Sequence, residues 1–484
     1  MNYKRIFKKK NINELLQSAD KQQLNRTLGA FQLVMLGIGA IVGAGIFVLT
    51  GTAASTSAGP AVVLSFVIGS IACACAAMCY AELSSAIPIS GGAYSYTYVT
   101  LGELPAWLIG SMILVGNMFM LASVAVGWSG YFTSLLEQFG MSLPQEFIHY
   151  TGEIIPGTSQ VGIFNLLALV ILGLTGIILY KGVETSAVIN NIIVIIKVVV
   201  STLFIVIGAM YINPSNWVPF IPERIAETGQ FGVQGILGGA AIVFLAFNGF
   251  DTVASAAQET KNPQRNLPIG VIGSLIISAI IYILVSGVLT GLVSYKDLNT
   301  AQPMALAVNA MNMPWFATLI KIGAICGLGS VTLVMTYAVI RIAFTMSNDG
   351  LLPKFLGKLH HRNKTPHVAT IIITGIVCLL AGTRPLDTMV QMGNFCVIFV
   401  FISVSGMAIY LRYTQPEMKR EFKCPMMPFI PLLGIGLFTL FLVNMPNKNV
   451  MLYFAALVII STAYYLISNI SKKSTPEIST QKAA

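Results

Sequence analysis

Apolar residues in this chain run in long blocks separated by short polar segments. A helix crossing the roughly 30 Å hydrocarbon core of a bilayer needs about 20 apolar residues. Twelve blocks meet or approach that length, at 29–52, 59–86, 104–134, 160–180, 186–211, 233–258, 269–293, 314–340, 367–383, 386–411, 428–445 and 450–469. The ninth is the shortest and ends at Arg384-Pro385. This pattern predicts an all-α polytopic membrane protein with 12 transmembrane helices. Segment Pro88–Leu104, rich in Gly and Tyr, is too polar to span and reads as a short interfacial or re-entrant helix on the cytoplasmic side. The polar ends, 1–26 and 470–484, carry no periodic apolar stripe and read as tails. The first block is long enough to span and follows a polar segment, so it reads as a membrane helix made without a cleaved signal peptide.

Composition sharpens the class. Of 484 residues, 55% are hydrophobic and only 10% charged, with a mean hydropathy of +0.79. A soluble domain carries about 25% charged residues to wet its surface, so a soluble particle is excluded. The net charge of +10 comes from clusters between apolar blocks, with no basic helix or aromatic platform for nucleic acid. With the N-terminus inside, 22 of the 28 Lys and Arg fall in cytoplasmic segments, while only Arg224, Lys296, Arg384 and Lys448 fall outside. The positive-inside rule then places both termini in the cytoplasm of a multi-pass protein of the plasma (inner) membrane. Six of the seven cysteines lie inside apolar blocks, which argues against a disulfide framework, and Cys73, Cys75 and Cys79 lack metal-site spacing and read as packing residues. The histidines between Asp349 and His367 read as a solvated, lipid-facing loop rather than a metal or pH-sensing site.

Two spans are interrupted. The first carries Gly37, Gly39, Gly43 and Gly45, and glycine weakens a helix by roughly 1 kcal/mol relative to alanine. Small-residue packing through the Gly39–Gly43 pair explains these glycines equally well. The sixth span tips the balance, because Asn248, Gly249 and Asp251 interrupt an apolar stretch at depth. Interruptions at spans one and six suggest two five-helix halves of opposite topology, an arrangement that points to a transporter binding site. The halves are 27–211 and 212–411, followed by two further helices within 412–469; the repeat rests on placement alone. Opening a helix frees N–H groups that attract a carboxylate and C=O groups that attract an ammonium. A site offering both suits an amino acid.

Lys197 lies at the centre of the fifth span, where an unpartnered ammonium costs at least about 2.5–3.5 kcal/mol. It must face the bundle interior. A lysine there that sheds and regains a proton is a candidate coupling group, against the alternative of a permanently charged structural cation. Lys321, near the outer end of its span, reads as a snorkelling residue. Glu82, near the inner end of the second span, reads as a structural partner for loop donors.

At these residues the chain resembles the amino acid–polyamine–organocation superfamily of permeases, and is most similar to bacterial members of its cationic amino acid transporter branch. The resemblance spans about Leu24 to Leu466. It rests on GIGAIVGAGIFVLTG at 37–51, CYAELSSAIPISGGAYSYTYVTLGE at 79–103, NNIIVIIKVVV at 190–200, FLAFNGFDTVASAAQETKNPQRNLPIGV at 244–271 and RIAFTMSNDGLLP at 341–353. It implies a five-plus-five inverted repeat with broken helices 1 and 6, and a substrate carboxylate on the amides of Gly43, Ala44 and Gly45. The substrate amine would meet carbonyls near Ile41, Leu245 and Asn248, with Ala246, Phe247 and Gly249 completing the unwound segment. Lys197 matches the fifth-helix lysine that occupies the place of an ion in sodium-coupled relatives, and would contact carbonyls near Gly39 and Val42. Position 248 departs from the pattern, since many members carry an apolar residue there, and this leaves the substrate choice open.

The expectation is therefore a secondary active amino acid transporter, not an enzyme. It would work by proton-coupled alternating access, with neutral amino acids favoured over cationic because Asp251 is the one acidic residue near the inferred site. No cofactor or metal is expected beyond the coupling proton. The expected partners are the small-molecule substrate and membrane lipid, with a small accessory subunit left open. The alternative is an amino acid or polyamine exchanger. A channel or nutrient receptor would need a polar pore ring or a large soluble domain, and neither is legible.

Overall fold

A computed structural model of the chain describes residue 9 and residues 28–88, 92–155, 160–181, 187–225, 230–256, 260–300, 302–361, 365–445 and 448–471. These residues form helices joined by short loops, and apart from two isolated β-bridges no strand is present among them. The helices are α1 (Ala30–Ile41), α2 (Thr50–Ala53), α3 (Val62–Ala86), α4 (Gly92–Thr100), α5 (Glu103–Gln138), α6 (Leu166–Lys181), α7 (Ala187–Ala209) and α8 (Gly232–Val243). They continue with α9 (Phe250–Ser255), α10 (Pro263–Leu292), α11 (Pro303–Ala310), α12 (Pro314–Asn348), α13 (His367–Thr383), α14 (Leu386–Thr414), α15 (Phe429–Val443) and α16 (Lys448–Ser471). Eight helical stretches are long and apolar enough to cross a membrane, one of them running from Ala30 to Ala86, and α6, α13 and α15 are shorter apolar helices. Apolar side chains also cover the outside, with Ile177, Leu379 and Ile459 each more than half exposed. Such a surface suits hydrocarbon rather than water.

The helices sort into two packed groups. Helix α10 packs along α1 and α3, while α12 and α14 pack along α5, and α13 lies on α6. Helix α7 touches α1, α10 and α12, and so stands between the groups.

The ends of elements differ from the expected ones for local reasons. The first crossing continues past residue 52 through α2 and a wide helical turn to Ala58. Ser55 and Thr56 return their hydroxyls to the Thr52 carbonyl at 3.1 and 2.7 Å, so these polar residues continue the helix instead of ending it. The break falls at Gly59, whose φ of 61° is open to glycine, followed by Pro60. Helices α5 and α12 run four and eight residues beyond the expected ends, to Gln138 and Asn348. Helix α4 forms within the segment expected to be interfacial, whose residues 89–91 lie outside the described ones. The helix α11 was not anticipated. The tails 1–26 and 470–484 fall almost wholly outside the described residues.

Two buried charges anchor the ends. Glu82 accepts from Arg412 Nε at 2.9 Å and Nη2 at 2.5 Å, from Arg420 Nε at 3.2 Å, and from the Cys424 amide at 2.8 Å. Arg420 in turn donates to the carbonyls of Leu411 and Gln415, both at 2.9 Å, which end α14. Glu82 is thus held by the loop donors Arg420 and Cys424, as its position suggested, and also by Arg412 in the last turn of α14. Lys321 does not snorkel. It is buried, and its ammonium donates to the Ser134 carbonyl at 3.1 Å and to Gln138 Oε1 at 3.0 Å. The extra turn of α5 brings Gln138 to it, so Lys321 ties two helices together. His360, in the loop before α13, and His367, the first residue of α13, pack edge-on against Tyr180, with ring centroids 5.4 and 6.3 Å away.

Candidate transport site

Both interruptions read from the sequence are breaks in the backbone. Helix α1 stops at Ile41, Val42 is extended at φ −73° and ψ 98°, and helical geometry resumes at Ala44. The second break follows a tight turn over Phe244–Phe247: Asn248 is extended and Gly249 sits at φ 128° before α9 begins. Only glycine adopts that φ without strain. A Cβ on Gly249 would also lie 2.8 Å from the Ala40 carbonyl carbon. The two broken segments touch, since a Cβ on Gly45 would lie 2.3 Å from that of Ala246.

Breaking a helix inside a membrane leaves carbonyls that must find donors. Each of several finds a specific one. Lys197 Nζ donates to the Gly39 carbonyl at 2.9 Å. Tyr282 Oη lies 2.7 Å from the Ile41 carbonyl and 2.9 Å from that of Ala246. Its single hydrogen is shared between them, so the phenol bridges the two breaks. Tyr131 Oη donates to the Phe47 carbonyl at 2.7 Å, and Asn394 Nδ2 to that of Ala241 at 2.7 Å. The opposite polarity is exposed where the helix resumes. The first intrahelical donors there are the amides of Ile46 and Phe47, both to the Gly43 carbonyl at 3.2 and 3.3 Å. The N–H groups of Gly43, Ala44 and Gly45 therefore lie at the open end of a helix, which favours an anion.

A small cavity lies between the breaks. Of the residues expected at the site, Ile41, Gly43, Ala44, Gly45, Leu245, Ala246 and Asn248 line it. Phe247 and Gly249 do not. Phe247 packs away from it against Phe66 and Tyr282, at 6.2 and 5.2 Å between centroids, and Gly249 lies beneath Ala40. Lys197 and Gly39 lie behind the cavity rather than in it, with the lysine stem against Gly327 of α12, where a Cβ would come within 3.3 Å. Val42 is buried at the end of α1 and donates its amide to Ile38. Asp251 occupies the first turn of α9 with its carboxylate against the backbone amides of Gly249, Asp251 and Thr252. A helix N-terminus is a favourable place for that charge.

The opposite wall was missed from the sequence. Met120, Ser123 and Val124 of α5, Val331 and Met335 of α12, and Leu386 of α14 form it, and Ala40, Val48 and Leu49 complete the lining. Asn248 Nδ2 points to Met120 Sδ at 3.1 Å. The wall is mostly apolar, with Ser123 its one hydroxyl, and among the described residues no acidic or basic side chain lines the cavity. Tyr282 was missed as well, although a phenol in the middle of an apolar run signals a buried partner.

Comparison with known proteins agrees with this geometry. The family model for amino acid permeases matches residues 28–467. The chain is 43% identical over 466 residues to the branched-chain amino acid permease BcaP of Bacillus subtilis, covering 96% of this chain and 97% of that protein. It is 42% identical over 464 residues to the methylthioribose transporter of the same organism, covering 96% and 98%. Cationic amino acid transporter 9, chloroplastic, of Arabidopsis thaliana is 38% identical over 349 residues, covering 71% and 59%. The chain belongs to the amino acid permease family and is a transporter of that family.

Proposed function

We infer that the protein takes up neutral amino acids with small to medium apolar side chains, coupled to protons, by alternating access. The frame would be twelve spans: two inverted five-helix halves at 27–211 and 212–411, then two helices, with both termini cytoplasmic in the inner membrane. The substrate carboxylate would sit on the amides of Gly43, Ala44 and Gly45, and its ammonium on the second lone pairs of the Ile41 and Ala246 carbonyls. Its side chain would project toward Met120, Val331 and Met335. The uncharged lining of that wall supports neutral over cationic substrates, since a buried guanidinium would lack a counter-charge. BcaP, a branched-chain amino acid permease by name, is consistent with it.

The observation that carries the coupling is the bond from Lys197 to the Gly39 carbonyl. As an ammonium, Lys197 makes a charge-assisted bond, worth roughly 1 kcal/mol more than one from a neutral amine. Proton loss would weaken the tie to α1 and favour its movement by about fivefold, since each 1.4 kcal/mol is tenfold. Uptake into proteoliposomes under an imposed pH gradient tests the reading: accumulation driven by sodium and indifferent to pH would sink it.

A second reading comes from the methylthioribose transporter, whose similarity is nearly the same. Its substrate has hydroxyls in place of the zwitterion, and the exposed amides and carbonyls could bind either. Competition of methylthioribose against radiolabelled valine separates the two.

A further inference from the structure

A second cavity lies far from the transport site, where α10 begins at the cytoplasmic end of the bundle. It is an open groove between the first turns of α10 and the loop that joins α14 to α15. Arg265 and Gln264 stand on the helix side and Glu421 on the loop side, with Ile269, Ile272 and Phe422 between them. The loop wall is built rather than loose. Ser85 Oγ donates to the Phe422 carbonyl at 3.3 Å, and the Cys424 amide donates to Glu82 at 2.8 Å. Both bonds fix the loop to the inner end of α3.

The floor of this groove continues down the helix. Ile269, Ile272, Ile276 and Ile280 recur every three or four residues, so they share one face of α10. Ile269, Ile276 and Ile280 are 44%, 54% and 54% exposed, which makes an apolar track leading from the charged rim toward the bilayer centre. The rim thus combines a cation, a carboxylate opposite it, and an acyl-chain path below. An anionic lipid satisfies the arginine but faces the glutamate with like charge. A zwitterion with a phosphate and a hydrogen-bonding ammonium satisfies both.

We propose that this groove binds a phospholipid of the cytoplasmic leaflet whose headgroup is a phosphodiester bearing a primary ammonium, as in phosphatidylethanolamine. The phosphate sits on Arg265 and Gln264, the ammonium on Glu421, and one acyl chain along Ile269 and Ile272. Phosphatidylcholine carries no N–H to donate to the carboxylate, and phosphatidylglycerol carries no cation, so headgroup discrimination follows from Glu421.

Native mass spectrometry of the full-length protein, released from detergent after equilibration with equal amounts of phosphatidylethanolamine, phosphatidylglycerol and phosphatidylcholine, tests this. The ethanolamine lipid is expected to form the most abundant adduct by several-fold. Glu421→Gln should bring it down to the choline level without lowering the glycerol adduct, and Arg265→Gln should lower all three. Ile272→Trp, which fills the groove without touching the charges, should also lower all three. Equal adducts of the three lipids on the unaltered protein would overturn the proposal, and so would an ethanolamine excess that survives Glu421→Gln.

Discussion

The ammonium of Lys197 donates to the carbonyl oxygen of Gly39 at 2.9 Å, two residues before α1 breaks. Gly39 belongs to α1, and Lys197 to α7, the helix that stands between the two packed groups. Lys197 therefore reaches the break in α1 without being part of the cavity wall, and in the proposed mechanism its proton would act there.

Tyr282 performs the matching role on the other side of the break, spanning the Ile41 and Ala246 carbonyls. Tyr282→Phe removes that hydroxyl and leaves buried carbonyls under-satisfied, a loss of about 1–3 kcal/mol. The variant should unfold several degrees lower in a thermal melt and show a raised KM for uptake. An unchanged melt and unchanged kinetics would reduce the phenol to packing.

Close contact between the broken segments depends on Gly45. Gly45→Ala places a methyl 2.3 Å from Ala246 Cβ and 2.6 Å from its Cα, which forces the segments apart. Uptake should be abolished at normal expression. Gly436→Ala is the control, because nothing lies within 4 Å of the added methyl, and its uptake should match that of the unaltered protein.

Charge pairing at Glu82 bears on stability rather than transport. Glu82→Gln leaves Arg420, buried at its side chain, without its carboxylate. Removing one partner of a buried pair costs about 3–5 kcal/mol, and the partly exposed Arg412 places the expected loss near the lower figure. A lowered melting temperature with substrate KM preserved in the surviving fraction is the expected outcome. A melt equal to that of the parent protein would contradict it.

In the proposed binding mode the far wall sets the size limit on substrates. Met335→Ala enlarges the cavity at α12, so phenylalanine should gain on valine in kcat/KM by roughly tenfold, the scale of discrimination that one or two methylene-sized changes give. Competition uptake with both amino acids measures it, and an unchanged ratio would place the side-chain pocket elsewhere.

Much of this architecture is legible in the chain because membrane helices announce themselves as apolar blocks. Their ends are less so. Ser55 and Thr56 look like loop residues yet bond back within the helix, and Arg341 does not stop α12, since a helix needs no apolar residues once it has left the bilayer. The broken segments were legible for the opposite reason, as Gly43, Gly45, Asn248 and Gly249 violate the pattern around them. Met120, Val331 and Met335 could not be found that way. They are apolar residues in apolar blocks, and only the packing of three helices distinguishes a cavity wall from the core. Lys321 shows the limit for charges, because its side-chain partner, Gln138, lies beyond the span the hydrophobic pattern assigned.

The most direct test of coupling compares the unaltered protein with Lys197→Ala in proteoliposomes loaded at alkaline pH and diluted into acidic buffer with radiolabelled valine. The account predicts that the unaltered protein concentrates valine above equilibrium and loses the accumulation when the gradient is collapsed. Lys197→Ala should only equilibrate it, while still exchanging internal for external substrate. Accumulation by Lys197→Ala equal to that of the parent protein, or uptake that requires internal substrate in both, would contradict proton coupling through this lysine.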